Sequence, residues 1–182
     1  MDKKADRRIA QWYNALSSSY YELYSREQSQ KHNTVIQFLG SETFKTLVDI
    51  GCGTGMFLRA AEQHYEYAVG IDLSIKMLKA VDNGASSKRD LIVASSRLIP
   101  LRDKTVDCLV SVSTFVSDSD LLQTIDEVTR VCKTNAAVIV SVFRSENGGI
   151  PTLLEASKRS SKISDRETLY CLRLEYPQNA SH

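Results

Sequence analysis

The sequence has no charge excess of either sign. Lys and Arg number 23 against 22 Asp and Glu over 182 residues, for a formal net charge of +1. A protein that grips nucleic acid chiefly by neutralising phosphates needs a strongly basic surface, so that class is disfavoured, although a local basic patch is compatible with the balance. No stretch approaches the ~18 consecutive apolar residues of a membrane-crossing helix. The opening residues Met1 to Arg8 lead into no signal-peptide hydrophobic core. Four cysteines (Cys52, Cys108, Cys132, Cys171) stand far apart without C-x-x-C spacing. That argues against a structural zinc site or a disulfide framework and fits reduced thiols in a cytoplasmic protein. There is no internal repeat and no low-complexity tract. What remains, 42% hydrophobic and 25% charged residues, has the composition of one ordered globular domain.

Apolar periodicity divides the chain. Ile9, Trp12, Tyr13, Leu16, Tyr20, Leu23 and Tyr24 share one helical face, with Ser17-Ser18-Ser19 as a point where the helix can break. A second helix is expected over Lys31 to Leu39, stopped by Gly40. Then the pattern changes to short apolar runs at 46–50, 67–72, 90–94, 106–112 and 136–143, the signature of buried parallel strands. Helical stretches separate them: 56–63, 74–81 and the Leu121, Leu122, Ile125, Val128, Cys132 face. Strands alternating with helices predict a parallel sheet covered on both sides. Beyond it, Thr152 to Glu155 has capping-box spacing after Pro151, predicting a helix to about Ser161. Thr168 to Tyr176 alternates as one last strand, and Pro177 to His182 is expected to fray.

The strongest chemical signal is Val48-Asp49-Ile50-Gly51-Cys52-Gly53-Thr54-Gly55, between a strand and a helix. Glycines let the backbone turn sharply and approach a ligand, and the helix start behind them offers free N–H groups. A glycine turn with no ligand is one explanation. A dinucleotide site would place its third glycine at position 56, which is Met56, and the Gly-Lys-Ser/Thr of a P-loop is absent. The third explanation is an S-adenosylmethionine site.

That stretch closely resembles the first motif of the class I S-adenosylmethionine-dependent methyltransferases, and the resemblance continues in order. Gly70-Ile71-Asp72-Leu73-Ser74-Ile75-Lys76-Met77-Leu78 looks like the family's second strand and following helix. Ile99-Pro100-Leu101 with Val106-Asp107 looks like its approach to strand four, and Glu127 to Lys133 like the helix before strand five. The group it sits nearest contains the methyltransferase type 11 and quinone-biosynthesis enzymes. The resemblance implies a Rossmann-like α/β three-layer sandwich, its sheet mostly parallel with an antiparallel last strand. It divides the chain into an N-terminal helical lid (1–40), a cofactor-binding core (46–143) and a short C-terminal helix and strand (144–182). The cofactor is S-adenosylmethionine, leaving S-adenosylhomocysteine, with no metal.

Residue by residue, the resemblance assigns cofactor contacts to Tyr20, Asp49, Gly51, Cys52, Gly53, Gly55, Asp72, Leu73, Met77, Ser95, Ser96 and Ser113. Asp72, 21 residues beyond Gly51, is placed to accept hydrogen bonds from ribose hydroxyls. Asp49 would support the glycine loop and the cofactor's amino end; a purely structural cap is the alternative. Ser95 stands where many members carry an acid for the adenine amino group, and the turn before strand five is Lys133-Thr134-Asn135-Ala136 instead of Lys-Pro-Gly-Gly. Tyr20 is a candidate lid residue, whereas helical spacing makes packing the role of most other N-terminal aromatics. Cys52 is at a helix start, where a thiol pKa can fall, yet small size alone explains a cysteine there. His32 and His64 are expected as surface or satisfied helix residues, and no catalytic residue is named.

The acceptor is less constrained. Ser111 to Asp118 lacks the Asn/Asp-Pro-Pro-Tyr motif of amino-methylating relatives. Only 39 residues follow Phe143, leaving little room for an inserted substrate domain. The family's sheet order puts strand three on an edge, so Leu91, Ile92 and Val93 could pair with a protein partner, or be covered by the chain's own loops. The functions compatible with the sequence are a methyltransferase with an unidentified acceptor, a tRNA or rRNA methyltransferase subunit served by a small zinc-binding activator, and a cofactor-binding regulatory subunit without activity. The Lys158, Arg159, Lys162 and Arg166 cluster would contact phosphate in the second case, or simply form a solvated helix face.

Overall fold

The computed structural model describes residues 3–80, 86–115, 118–143, 154, 157 and 159–174. Two helices come first, α1 (Lys3–Leu16) and α2 (Tyr20–Leu39). The break falls in the serine run, where Ser17 and Ser19 hydroxyls donate to the Asn14 and Leu16 carbonyls and compete with helical bonding. The expected second helix thus starts earlier, at Tyr20, and runs unbroken to Gly40, whose φ of 63° closes it. There follow β1 (Phe44–Ile50), α3 (Met56–Ala60), a 3₁₀ turn (Glu62–His64), β2 (Tyr65–Asp72), α4 (Ile75–Lys79), β3 (Arg89–Val93), β4 (Val106–Phe115), α5 (Asp118–Val131), β5 (Cys132–Phe143), β6 (Arg159–Lys162) and β7 (Glu167–Arg173).

The seven strands order as β3-β2-β1-β4-β5-β7-β6. The first five are parallel, and β7 and β6 are antiparallel. Alternate residues of each strand feed two cores. Val48, Ile50, Val69, Ile71, Leu109, Val138 and Val140 pack with Leu121, Val128 and Val131 of α5. Leu47, Ala68, Cys108, Val110 and Ile139 pack on the opposite face with Val35 and Leu39 of α2 and Phe57 and Leu58 of α3. Both faces are thus apolar, which is why these strands read as continuous hydrophobic runs.

Two expectations need correcting. Residues 159–162 form strand β6, hydrogen-bonded to β7, and are not the end of a helix. Half of the predicted 152–161 helix, like Pro177 to His182, Val81 and Val116-Ser117, lies outside the described residues. The Lys133 to Ala136 segment is part of β5 and not a separate turn. There the register slips between the Val106–Cys132 and Cys108–Ala137 pairs, and Asn135 takes a φ of 70°.

Several motif residues serve the scaffold. Arg130 donates to the Ile99 and Leu101 carbonyls, and Glu127 accepts from the Ile99 N–H at 2.6 Å, so α5 clamps the loop that enters β4. Asp107 accepts from the Thr46 N–H and from Lys133, tying β1, β4 and β5 at their starts.

Candidate functional site

The strand order reverses between β1 and β4. In open parallel sheets a crevice forms at such a point, beyond the carboxyl ends of the strands. Here it is a cavity of about 670 Å³ roofed by α1 and the start of α2. Its floor is the glycine loop, where Gly51, Gly53 and Gly55 have φ of 74°, 53° and 67°. A Cβ on Gly51 would stand 2.1 Å from Thr114 Oγ1, so only glycine lets the β1 end and the β4 end meet.

Of the twelve residues assigned from sequence, eleven line this one cavity: Tyr20, Asp49, Gly51, Cys52, Gly53, Asp72, Leu73, Met77, Ser95, Ser96 and Ser113. Gly55 does not; it is buried as the left-handed residue that starts α3. Asp72, at the end of β2, accepts from the Gly53 N–H at 2.9 Å through Oδ2 and from the Ser74 N–H at 2.7 Å through Oδ1. Burial holds the carboxyl above the usual range, against the backbone hydrogen bonds that lower it. Asp49 is buried where Asp72 is only half-buried, and its Oδ2 has no hydrogen-bond partner among the described residues. Burial first, then the Asp72 charge, raises its pKa well above that of an ordinary carboxyl. Thr54 Oγ1 is a second buried orphan in the same loop. On the far wall, Ser96 Oγ lies 3.0 Å from Thr124 Oγ1, and Ser95 Oγ accepts from the Arg97 N–H at 3.3 Å.

Helix α1 is anchored by polar contacts invisible to periodicity. Asn14 Oδ1 on α1 accepts from Ser74 Oγ at 2.7 Å and from the Lys76 N–H at 3.0 Å. Asp6 pairs with Arg97 at 2.5 Å, joining α1 to the loop after β3. Tyr20 packs on Tyr24 with ring centroids 5.1 Å apart, and burial raises its hydroxyl pKa. Trp12 and Tyr13 also line the cavity. Trp12 nevertheless remains 58% exposed.

Sequence reasoning missed the polar half of α2. Its buried stripe is Gln28, Lys31, His32, Val35 and Leu39, apolar low on the sheet and polar where the helix reaches the cavity. Apolar periodicity alone shows only the lower part, and the i, i+3, i+4 spacing of the polar residues was the available signal. His32 is buried against Phe57 and not on the surface. Burial, with Lys31 adding, lowers its pKa to about 4, so it is neutral at pH 7. His64 is buried too, with Nδ1 3.1 Å from the Glu42 carbonyl oxygen, outside the cavity. The helix start does not activate Cys52: burial, then Asp49 and Asp72, push its thiol pKa well up.

The basic cluster is likewise outside the cavity. Arg159 stacks 4.5 Å from the Phe38 ring centre, Lys162 pairs with Asp165, and Lys158 is not among the described residues. Among the described residues, no group of three or more His, Cys, Asp or Glu is arranged to hold a metal, and no helix is long and apolar enough to cross a membrane.

Residues 48–140, from the end of β1 through most of β5, match the methyltransferase domain family. The chain belongs to that family. Among curated methyltransferase relatives, malonyl-[acyl-carrier protein] O-methyltransferase 1 of Coxiella burnetii is 37% identical over 97 residues, covering 52% of this chain and 32% of that protein. A S-adenosylmethionine-dependent methyltransferase from Aquifex aeolicus has the same fold, with TM-score 0.64 at 18% identity over 95% of this chain and 98% of that one. The methyltransferase solved in complex with the Haloferax volcanii Trm112 methyltransferase activator superposes with TM-score 0.61 at 24% identity, over 71% of this chain and 59% of that one. The chain spans about half or less of the length of the first curated relatives it matches. The methyltransferase fold thus accounts for the mostly parallel sheet, the glycine loop and the cavity above them.

Proposed function

We propose that this protein binds S-adenosylmethionine in the cavity above the glycine loop and transfers its methyl group to an acceptor entering beside α2. The observation that carries the reading is the pair of carboxyl groups on one glycine cradle, the buried Asp49 with an oxygen lacking a partner among the described residues and the half-buried Asp72 facing the cavity. Asp49 supplies a counter-charge for the cofactor's ammonium group, and Asp72 accepts from its ribose hydroxyls. Thr54 offers a further hydroxyl, while Leu73, Met77, Ala94, Ser95 and Ser96 make the wall suited to an adenine. When bound, the cofactor supplies an electrophilic methyl on a sulfonium, displaced by the acceptor's nucleophile. The chain's own contribution is orientation and exclusion of water by the α1–α2 lid.

At the other end, Gln28, His32, Val112 and Phe143 line the cavity. His32 is uncharged at pH 7, and the Lys31 ammonium is held by Glu27 and Glu167 at 2.8 and 2.7 Å. This end suits a neutral acceptor group better than a phosphate. Calorimetry tests the first step: S-adenosylmethionine is expected to bind, and no heat from folded protein overturns the reading. Turnover with labelled cofactor against RNA, protein and small-molecule fractions then separates an enzyme from a regulatory subunit.

A second reading concerns assembly. β3 forms one edge of the sheet, with Val93 51% exposed and Leu91 and Ile92 partly so. An edge strand of this kind accepts a partner strand. The likeness to a methyltransferase solved with an activator protein supports a small zinc-binding activator as that partner, in keeping with a tRNA or rRNA acceptor whose phosphates the partner helps to hold.

A further inference from the structure

The end of β4 is irregular in a way the fold alone does not require. Between the pairs Ser111–Val140 and Phe115–Val142, β4 advances four residues while β5 advances two. The extra length is a bulge, and Ser113 at its centre holds a φ of 56°. Left-handed backbone in a non-glycine residue is strained and persists only where its surroundings over-determine it. The bulge also makes Val112, Ser113, Thr114 and Phe115 all line the cavity, which a regular strand with alternating side chains would not do.

What holds Ser113 comes from three other elements. Its N–H donates to Ser141 Oγ on β5 at 2.7 Å. Its own hydroxyl donates to Glu167 at the start of β7, 3.0 Å from Oε1 and 3.2 Å from Oε2, and accepts from Lys31 Nζ on α2 at 2.9 Å. Ser141 Oγ in turn donates to Glu167 Oε1. Lys31 and Glu167 pair at 2.7 Å with side chains only 4% and 0% exposed. Every donor in this group has an acceptor, so the network is closed and geometrically demanding. The next residue carries the consequence to the glycine loop: Thr114 Oγ1 donates to the Ile50 carbonyl at 3.0 Å and lies where a Cβ on Gly51 would be.

We propose that Glu167, on the C-terminal hairpin, is a positioning residue for the cofactor site, fixing the Ser113 bulge so that Thr114 is seated against Gly51. The proposal rests on the reading of the cavity as an S-adenosylmethionine site. It makes the β6–β7 hairpin, outside the residues that match the family, a working part of that site. Glu167 does not itself line the cavity; it acts through Ser113, which does.

The test is a double-mutant cycle of Glu167→Gln and Ser113→Gly, read by calorimetry with S-adenosylmethionine and by backbone amide resonances of the ligand-free protein. Glycine adopts a φ of 56° without help, so the two substitutions should not be additive. Glu167→Gln alone is expected to shift the Thr114 and Gly51 amides and to weaken cofactor binding about tenfold, whereas in the Ser113→Gly background it should add less than about twofold. Equal losses in both backgrounds, or Thr114 and Gly51 amides that do not move, overturn the proposal. Should wild-type protein bind no cofactor, the functional reading fails while the amide shifts still decide the positioning role. If Glu167→Gln does not fold, Ser141→Ala removes the acceptor of the Ser113 N–H and leaves the Lys31–Glu167 pair, with the same amide shifts required.

Discussion

Asp49 stands near the start of the most recognisable stretch of the sequence, yet its physical state is set by what surrounds it. Buried and beside Asp72, it holds its proton above the ordinary carboxyl range. A carboxyl whose folded pKa is raised stabilises the fold fully below its unfolded value of about 4 and loses that contribution as pH rises through the folded value. Asp49→Asn removes the titration. The ligand-free variant is therefore expected to match wild type at about pH 3.5 and to exceed it by about 1 kcal/mol or more at pH 8, because an uncompensated buried charge is gone. Thermal melts at the two pH values check this. Cofactor affinity should move oppositely: it rises with pH in wild type, as Asp49 gives up its proton to face an ammonium, and is weak and flat in Asp49→Asn. The neighbouring Cys52 shows the limit of motif logic. A helix start lowers a thiol pKa in an exposed, electropositive place, whereas here burial, then the neighbouring Asp49 and Asp72, raise it.

Among the elements, α1 is tied down by polar contacts. Asn14 joins it to Ser74 and Lys76, and Asp6 to Arg97, while Ile9 and Trp12 remain exposed. Asn14→Ala deletes two acceptor contacts and should weaken docking of the lid by roughly 1–2 kcal/mol. Hydrogen exchange reads this directly: amides of Lys3–Leu16 should exchange about tenfold faster, with protection in β1 and β4 unchanged. Uniform acceleration across the sheet would instead mean that α1 is part of the global folding unit. The helices and strands themselves were largely legible, since buried parallel strands and an amphipathic α5 leave clear apolar patterns. β6 was not, because Arg159, Ser160, Ser161 and Lys162 carry no apolar alternation. Only pairing with β7 makes them a strand.

Across the whole molecule, the two edges of the sheet differ. β6 presents Arg159 and Lys162, charges that discourage further strand pairing. β3 presents Leu91, Ile92 and Val93 at the other edge. Val93→Lys should leave the stability of the isolated chain within about 0.5 kcal/mol, since Val93 is half exposed. If a Trm112-type activator pairs with this edge, the same substitution should weaken the complex at least tenfold in a sedimentation or co-purification assay. Unaltered affinity would place the activator elsewhere, and absence of any complex with wild-type protein would remove that reading of the partner.

The glycine loop, Asp49, Asp72 and the strand–helix alternation were determined by the sequence itself, because each rests on a local rule: backbone freedom at glycine, a fixed spacing, a periodic apolar face. The family could be recognised from them. What no local rule contains is how residues 31, 113, 141 and 167 come together as one buried network, or that an exposed-looking Asn14 fastens the lid. Polar side chains at large sequence separation leave no periodic trace. Their pairing is decided only when the sheet order brings β4, β5 and β7 side by side and lays α1 and α2 across their ends.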